Sequence, residues 1–117
     1  MKTLLLVDDE DVIRQALSRN LQKSNYDVTS AVSGAEAVSY LQKKPYDIIV
    51  TDYLMEGING IELMTKAREL YPDIKVIVFS GYMEQNFEEA LKAADCFLTK
   101  PIGLNDLLKA IETVLNK

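Results

Sequence analysis

The stretch Ile48-Ile49-Val50-Thr51-Asp52-Tyr53-Leu54-Met55-Glu56-Gly57 decides the fold. An unbroken apolar run that ends in a carboxylate and then a glycine-containing loop reads as a buried strand delivering an acid to the edge of a sheet. Asp52 is then either an ordinary turn-former or a nucleophile, and the residues at the other strand ends bear on which.

Outward from that strand the chain alternates. Toward the N-terminus, Leu4-Leu5-Leu6-Val7 is a second continuous apolar run, ending in Asp8-Asp9. From Glu10 the period switches: Val12, Ile13, Ala16, Leu17 and Leu21 recur at helical spacing, with Arg14, Arg19 and Lys23 on other faces. Val28, Ser30 and Val32 suggest a weaker second strand, and Ser33-Gly34-Ala35-Glu36 has capping-box spacing ahead of a helix with Ala37, Val38 and Leu41 inward. Toward the C-terminus, Asp47 to Asp52 forms strand three, and Asn59 can cap a third helix with Leu63, Met64, Ala67 and Leu70 inward. Strand four is expected over Ile74 to Ser80, a fourth helix over about 84–93 with Phe87, Ala90, Leu91 and Ala94 inward, and a short fifth strand over Cys96 to Thr99. A fifth helix shows the cleanest stripe, Leu104, Leu107, Leu108, Ile111, Val114 and Leu115.

Strands separated by helices favour parallel pairing, because parallel neighbours need crossovers and right-handed crossovers pack back onto the sheet. The expectation is one α/β domain over residues 1–117: a doubly wound five-stranded parallel sheet, order 2-1-3-4-5, flavodoxin-like, (βα)5. That topology binds ligands beyond the carboxyl ends of the strands, where the winding reverses between strands one and three.

Composition narrows the function. The chain has 117 residues, 48% hydrophobic and 26% charged, enough for one substantial core. Eighteen acids against thirteen Lys and Arg give a net charge of -5, the wrong sign for direct nucleic-acid binding. No apolar run approaches a membrane span, and acids follow the first residues too soon for a signal peptide, so no membrane association and a cytoplasmic location are expected. Cys96, the single cysteine, excludes an internal disulfide and reads as a small core residue. The absence of histidine excludes a Ser-His-Asp triad, a His-ligated metal and a phosphohistidine carried by this chain.

Strand one ends in Asp8-Asp9, strand three in Asp52, strand four in Ser80-Gly81 and strand five in Lys100-Pro101. Each has an ordinary explanation alone: the acids from Asp8 to Glu10 can complement a helix dipole, Asp52 can start a turn, Ser80 can satisfy a loop and Lys100 can be solvated. Together they are harder to explain so. Carboxylates gathered at one crevice raise each other's pKa unless a cation shares the site, and Mg²⁺ suits a few carboxylates plus phosphate oxygens. A metal, Lys100 and the Ser80 hydroxyl supply the positioning and charge neutralisation that phosphoryl transfer requires, with Asp52 as the attacking group and an aspartyl phosphate as product.

Asp8-Asp9, Asp52, Ser80 and Lys100-Pro101, on this five-strand pattern, resemble the receiver domain of two-component response regulators over essentially the whole chain. The resemblance implies that Asp52 accepts a phosphoryl group from a partner histidine kinase or histidine phosphotransfer protein, which supplies the histidine absent here. It implies that Asp9, Asp52 and the backbone carbonyl of Leu54 ligate Mg²⁺, or Mn²⁺ in its place, with Asp8 acting mainly through a water. It implies that Lys100 pairs with phosphoryl oxygens and that the Lys100-Pro101 bond is cis. Ser80 would move toward the phosphoryl group and Phe97 would rotate inward, so that the fourth helix, fifth strand and fifth helix present an altered face to a downstream protein or a fused effector domain. A phosphorylation-dependent dimer is also within that repertoire. The chain would catalyse its own phosphorylation and dephosphorylation without turning over an external substrate.

Some positions depart from the family pattern. Its loop usually reads Met-Pro after the acceptor, but Glu56 follows Met55 here. Leu54, two residues beyond Asp52, cannot orient a hydrolytic water, and with bulky Tyr82 two residues beyond Ser80 it predicts slow loss of the phosphoryl group. Gly103 stands where the family often has a capping aspartate. Three other readings compete. A flavin carrier on the same topology is disfavoured by the acids of Asp8 to Asp11, where a flavin phosphate wants backbone N–H groups. A phosphohydrolase would place its nucleophile on strand one with a second acid two residues on. A receiver acting only as a binding surface would not need the full set of polar groups.

Overall fold

β3 (Ile48–Asp52) is buried along its whole length at the centre of the sheet in the computed structural model, which describes residues 1–81 and 92–117. β1 (Lys2–Val7) pairs with it on one side and carries β2 (Tyr26–Ala31) beyond. On the other side β4 (Lys75–Ser80) pairs with β3 and carries β5 (Cys96–Thr99). Every pairing is parallel, and the order β2-β1-β3-β4-β5 is the one expected from the alternating pattern.

The period-2 geometry of strands divides the apolar runs between two faces. Leu5, Val7, Ile49, Val76 and Val78 pack against α2 (Gly34–Lys43) and α3 (Gly60–Leu70). Leu4, Leu6, Ile48, Val50, Ile77 and Phe79 pack against α1 (Asp11–Lys23) and the C-terminal helix (Leu104–Leu115). A run such as Leu4-Leu5-Leu6-Val7 is continuous because both faces are covered. Of the helix expected over 84–93, Lys92 and Ala93 are helical, and the rest, including Phe87, Ala90 and Leu91, lies outside the described residues.

Helix starts follow local chemistry. At α3 the capping box is complete: the Asn59 side chain accepts from the Glu62 N–H at 2.9 Å and the Glu62 carboxylate accepts from the Asn59 N–H at 3.0 Å. At α2 the Ser33 hydroxyl accepts from the Glu36 N–H at 3.1 Å, but Glu36 reaches past Ser33 to the Val32 N–H at 3.3 Å.

Several apolar positions differ from their expected orientation. On α1, Val12 is 81% exposed and Ala16 is exposed, Ile13 is half-buried, and Leu17 and Leu21 pack against the sheet. Arg14, expected on an outer face, is buried, its guanidinium donating to the Asp8 carbonyl at 3.0 Å and to the Asp11 carboxylate at 2.8 Å. Leu70 and Val32 are exposed because one is the last residue of α3 and the other lies just beyond β2. Cys96 is half-buried on the α1 face, where burial pushes its thiol pKa up.

Candidate functional site

The sheet delivers its polar residues through short, well-tied loops. After Asp52, the Tyr53 N–H donates to the Phe79 carbonyl at 2.8 Å, extending the β3–β4 ladder by one rung beyond the acid. The chain then leaves through Leu54 to Ile58, with Gly57 at φ +85°, and returns when the Gly60 N–H donates to the Tyr53 carbonyl at 2.8 Å. This return brings the start of α3 against the acid's own backbone. A Cβ on Gly60 would sit 2.6 Å from the Asp52 carbonyl oxygen and 3.0 Å from Tyr53 Cα, so the approach requires glycine. On the far side, the Lys100 N–H donates to the Ser80 carbonyl at 2.8 Å, fixing where the lysine leaves β5. The Lys100–Pro101 peptide bond is cis.

Lys100 Nζ lies 2.9 Å from Asp52 Oδ2 and 3.5 Å from Glu10 Oε1, and its ammonium sits 5.2 Å from the centroid of the Phe79 ring. Asp8 is fully buried. Its Oδ1 accepts from the Glu10 N–H at 2.9 Å, and its Oδ2 has no hydrogen-bond partner among the described residues. One carboxylate oxygen from each of Asp8, Glu10 and Asp52 falls within a 4.8 Å cluster.

Electrostatics follow from this crowding. Burial raises the Asp52 pKa above the ordinary carboxylate value; the Lys100 hydrogen bond and charge and the Leu54 backbone N–H oppose the rise, and Asp9 adds to it. Burial also raises Asp8, against the Glu10 N–H and Lys100 and with help from Asp52 and Glu10. Burial alone would lower the Lys100 pKa, but the hydrogen bond and charge of Asp52, with Asp8 and Glu10, turn the net shift upward. At both acids it is burial, first among the causes, that the lysine and the backbone N–H groups do not overcome. An orphaned buried carboxylate oxygen beside two further carboxylates is a donor set that fits a hard, oxygen-preferring divalent cation such as Mg²⁺.

Asp9, Glu10, Asp52, Leu54, Ser80, Gly81 and Lys100 line one recess of about 190 Å³, with Asp8 buried beneath it. Ser80 is buried at the end of β4, and Leu54 is 52% exposed with its backbone hydrogen-bonded to the acid. Pro101 belongs instead to an adjoining apolar cavity of about 430 Å³, with Ile13, Leu17, Phe79 and Ile102, and Lys100 borders both. Phe97 lies apart from the recess, partly buried on the α2–α3 face next to Val78. Tyr82 lies outside the described residues. Glu10 joins the site without having been singled out from sequence, where it read as a helix-start acid. The signal available was its position: it is the N-cap of α1 yet makes no side-chain cap hydrogen bond, a poor use of a cap unless the long side chain serves elsewhere.

Comparison with known proteins gives the same picture. The model of the response regulator receiver domain matches residues 4–112. The chain is 35% identical over 117 residues to the response regulator receiver protein CpdR of Brucella abortus, covering 98% of both chains. It is 39% identical over 119 residues to the sensor kinase CckA of the same organism, where the match takes in 98% of this chain and 13% of the kinase. Among solved structures, the response regulator TrrA of Thermotoga maritima, determined in complex with Mg²⁺-BeF, superposes with a TM-score of 0.88 at 31% identity, covering 97% of this chain and 99% of that one. With its sheet order, its strand-end acids and lysine, and a family match over nearly its whole length, the chain belongs to the response regulator receiver domain family.

Proposed function

We propose that this chain is a phosphoacceptor whose Asp52 takes a phosphoryl group from a phosphohistidine on a histidine kinase or histidine phosphotransfer protein. The observation that carries this reading is the 2.9 Å pairing of Lys100 with Asp52 beside a buried Asp8 oxygen that has no partner among the described residues. That arrangement holds one carboxylate ready to attack and keeps a cationic side chain where the phosphoryl oxygens arrive.

In the transfer, an Asp52 oxygen attacks phosphorus opposite the imidazole. The P–O bond forms as the P–N bond breaks, and the imidazole leaves with the electron pair and is protonated by solvent. Lys100 moves its ammonium from Asp52 to the phosphoryl oxygens, and the Ser80 hydroxyl donates to another of them. Mg²⁺, or Mn²⁺ in its place, supplies charge neutralisation when bound. Asp8, Asp9, Asp52 and the Leu54 carbonyl would hold it, with Glu10 close by. The phosphoryl group stays on the protein, so no external substrate is turned over. The apolar cavity of Ile13, Leu17, Pro101 and Ile102 beside Lys100 suits an apolar ridge on the histidine-bearing partner. Output runs through Ser80 and Phe97 on the neighbouring strands β4 and β5 to the face of β5 and the C-terminal helix, which engages a downstream protein or a fused effector domain. The setting is cytoplasmic, where such kinases present their phosphohistidine; among the described residues no helix is long and apolar enough to cross a membrane.

Treatment with Mg²⁺ and a small phosphodonor, followed by borohydride reduction and peptide mapping, tests the site. Homoserine at position 52 is expected; phosphate mapped to another residue with Asp52 unmodified would contradict the assignment.

A further inference from the structure

The lysine that pairs with Asp52 has a second carboxylate within reach, and the two pairings make different demands when a cation enters. Glu10 Oε1 lies 3.5 Å from Lys100 Nζ, against 2.9 Å for Asp52 Oδ2. Lys100 is largely buried and its ammonium is confined between Asp52, Glu10 and the Phe79 ring. A divalent cation taking an oxygen of Asp52 would meet that ammonium at close range, a like-charge contact in a poorly solvated recess. The ammonium must then shift while keeping an acceptor, because a buried ammonium left without one is strongly disfavoured. Glu10 is placed to be that acceptor: its side chain is 60% exposed, so it can follow the ammonium, and as an N-cap residue it makes no side-chain cap bond that would hold it back.

We propose that Glu10 is a positioning residue that receives Lys100 when a divalent cation engages Asp52, so that cation and lysine occupy the recess together. The inference rests on the reading of Asp8 and Asp52 as a cation site and adds a role for a residue outside the ligand set expected from sequence. Although one Glu10 oxygen lies in the same cluster as those of Asp8 and Asp52, in this role Glu10 turns to Lys100 and acts through it, leaving the cation to the other two acids. The lysine stays inside the recess with its ammonium oriented, close to where phosphoryl oxygens arrive.

A double-mutant cycle read by calorimetric titration with Mg²⁺ at fixed ionic strength separates this role from direct ligation. Glu10→Gln should weaken Mg²⁺ binding on the order of tenfold in the wild-type background. Lys100→Met should strengthen binding by removing the competing ammonium, and in that background Glu10→Gln should lose most of its effect, to about threefold or less. An undiminished loss in the Lys100→Met background would mean that Glu10 ligates the metal, and an unchanged affinity in the single Glu10→Gln variant would mean that it does nothing there; either overturns the proposal. Wild-type protein that binds no Mg²⁺ would overturn the cation-site reading along with it. A second measurement does not depend on the lysine variant. The Lys100 ¹³Cε resonance should move on Mg²⁺ saturation with its ammonium protons still protected in the wild type and exchanging freely in Glu10→Gln. Equal protection in both would contradict the transfer to Glu10.

Discussion

Asp52 and Asp8 are acids held where their charged forms are disfavoured, and this has a pH signature. Both pKa values are raised in the folded chain, first by burial, so between the ordinary carboxylate value and the raised one the folded state binds more protons than the unfolded state. Stability therefore falls as pH rises through that window. Without divalent cations, the thermal midpoint should rise as pH is lowered from neutrality into the mildly acidic range, and Asp52→Asn should flatten the trend; a midpoint that falls steadily over the same range would contradict the burial argument. Leu54 supplies a second prediction. Its half-exposed apolar side chain offers no hydrogen bond to a water attacking the phosphoryl group, so Leu54→Asn should speed loss of the phosphoryl group severalfold, followed by the decay of phosphorylated protein. The strand-end residues Asp8, Asp9, Asp52, Ser80 and Lys100 were legible in sequence because each follows an apolar run whose end is easy to see. Arg14 and Glu10 were not. Arg14 is buried by a bond to a backbone oxygen of Asp8, and Glu10 reaches a lysine ninety residues away in the chain, and neither contact leaves a trace in local spacing.

At the scale of elements, the start of α3 does two jobs, closing the loop after Asp52 and setting the helix. Gly60→Ala would improve intrinsic helix propensity by about 1 kcal/mol, yet its new Cβ would meet the Asp52 carbonyl at 2.6 Å. Overpacking against backbone should win, with a net loss of roughly 1–3 kcal/mol in denaturant titration and weaker Mg²⁺ binding as the acid's backbone shifts. Asn59→Ala removes the capping box alone and should cost about 1 kcal/mol with Mg²⁺ affinity nearly unchanged. The contrast between the two separates stability from site geometry. Helix existence was readable from the 3.6-residue period and the caps, but the width of the buried stripe was not. Val12 and Ala16 fit the helical spacing and still face solvent, because α1 lies against the sheet along Leu17 and Leu21.

For the whole molecule, strand patterns alternating with helical ones left few arrangements, since parallel strands need crossovers and a reversal of winding puts helices on both faces. The crevice at that reversal follows from β1 and β3 being neighbours, so Asp8 and Asp52 meet although forty-four residues separate them. What sequence could not supply is the pairing inside the crevice, such as Lys100 between Asp52 and Glu10, because that depends on loop paths and rotamers beyond the strand ends. The central claim is that this sheet exists to present Asp52 as a phosphoryl acceptor. Intact-mass measurement after incubation with a small phosphodonor tests it most directly, comparing wild type and Asp52→Ala with and without Mg²⁺. The account predicts the gain of one phosphoryl group by the wild type in Mg²⁺ and none by the variant; no gain by the wild type, or an equal gain by the variant, would contradict it.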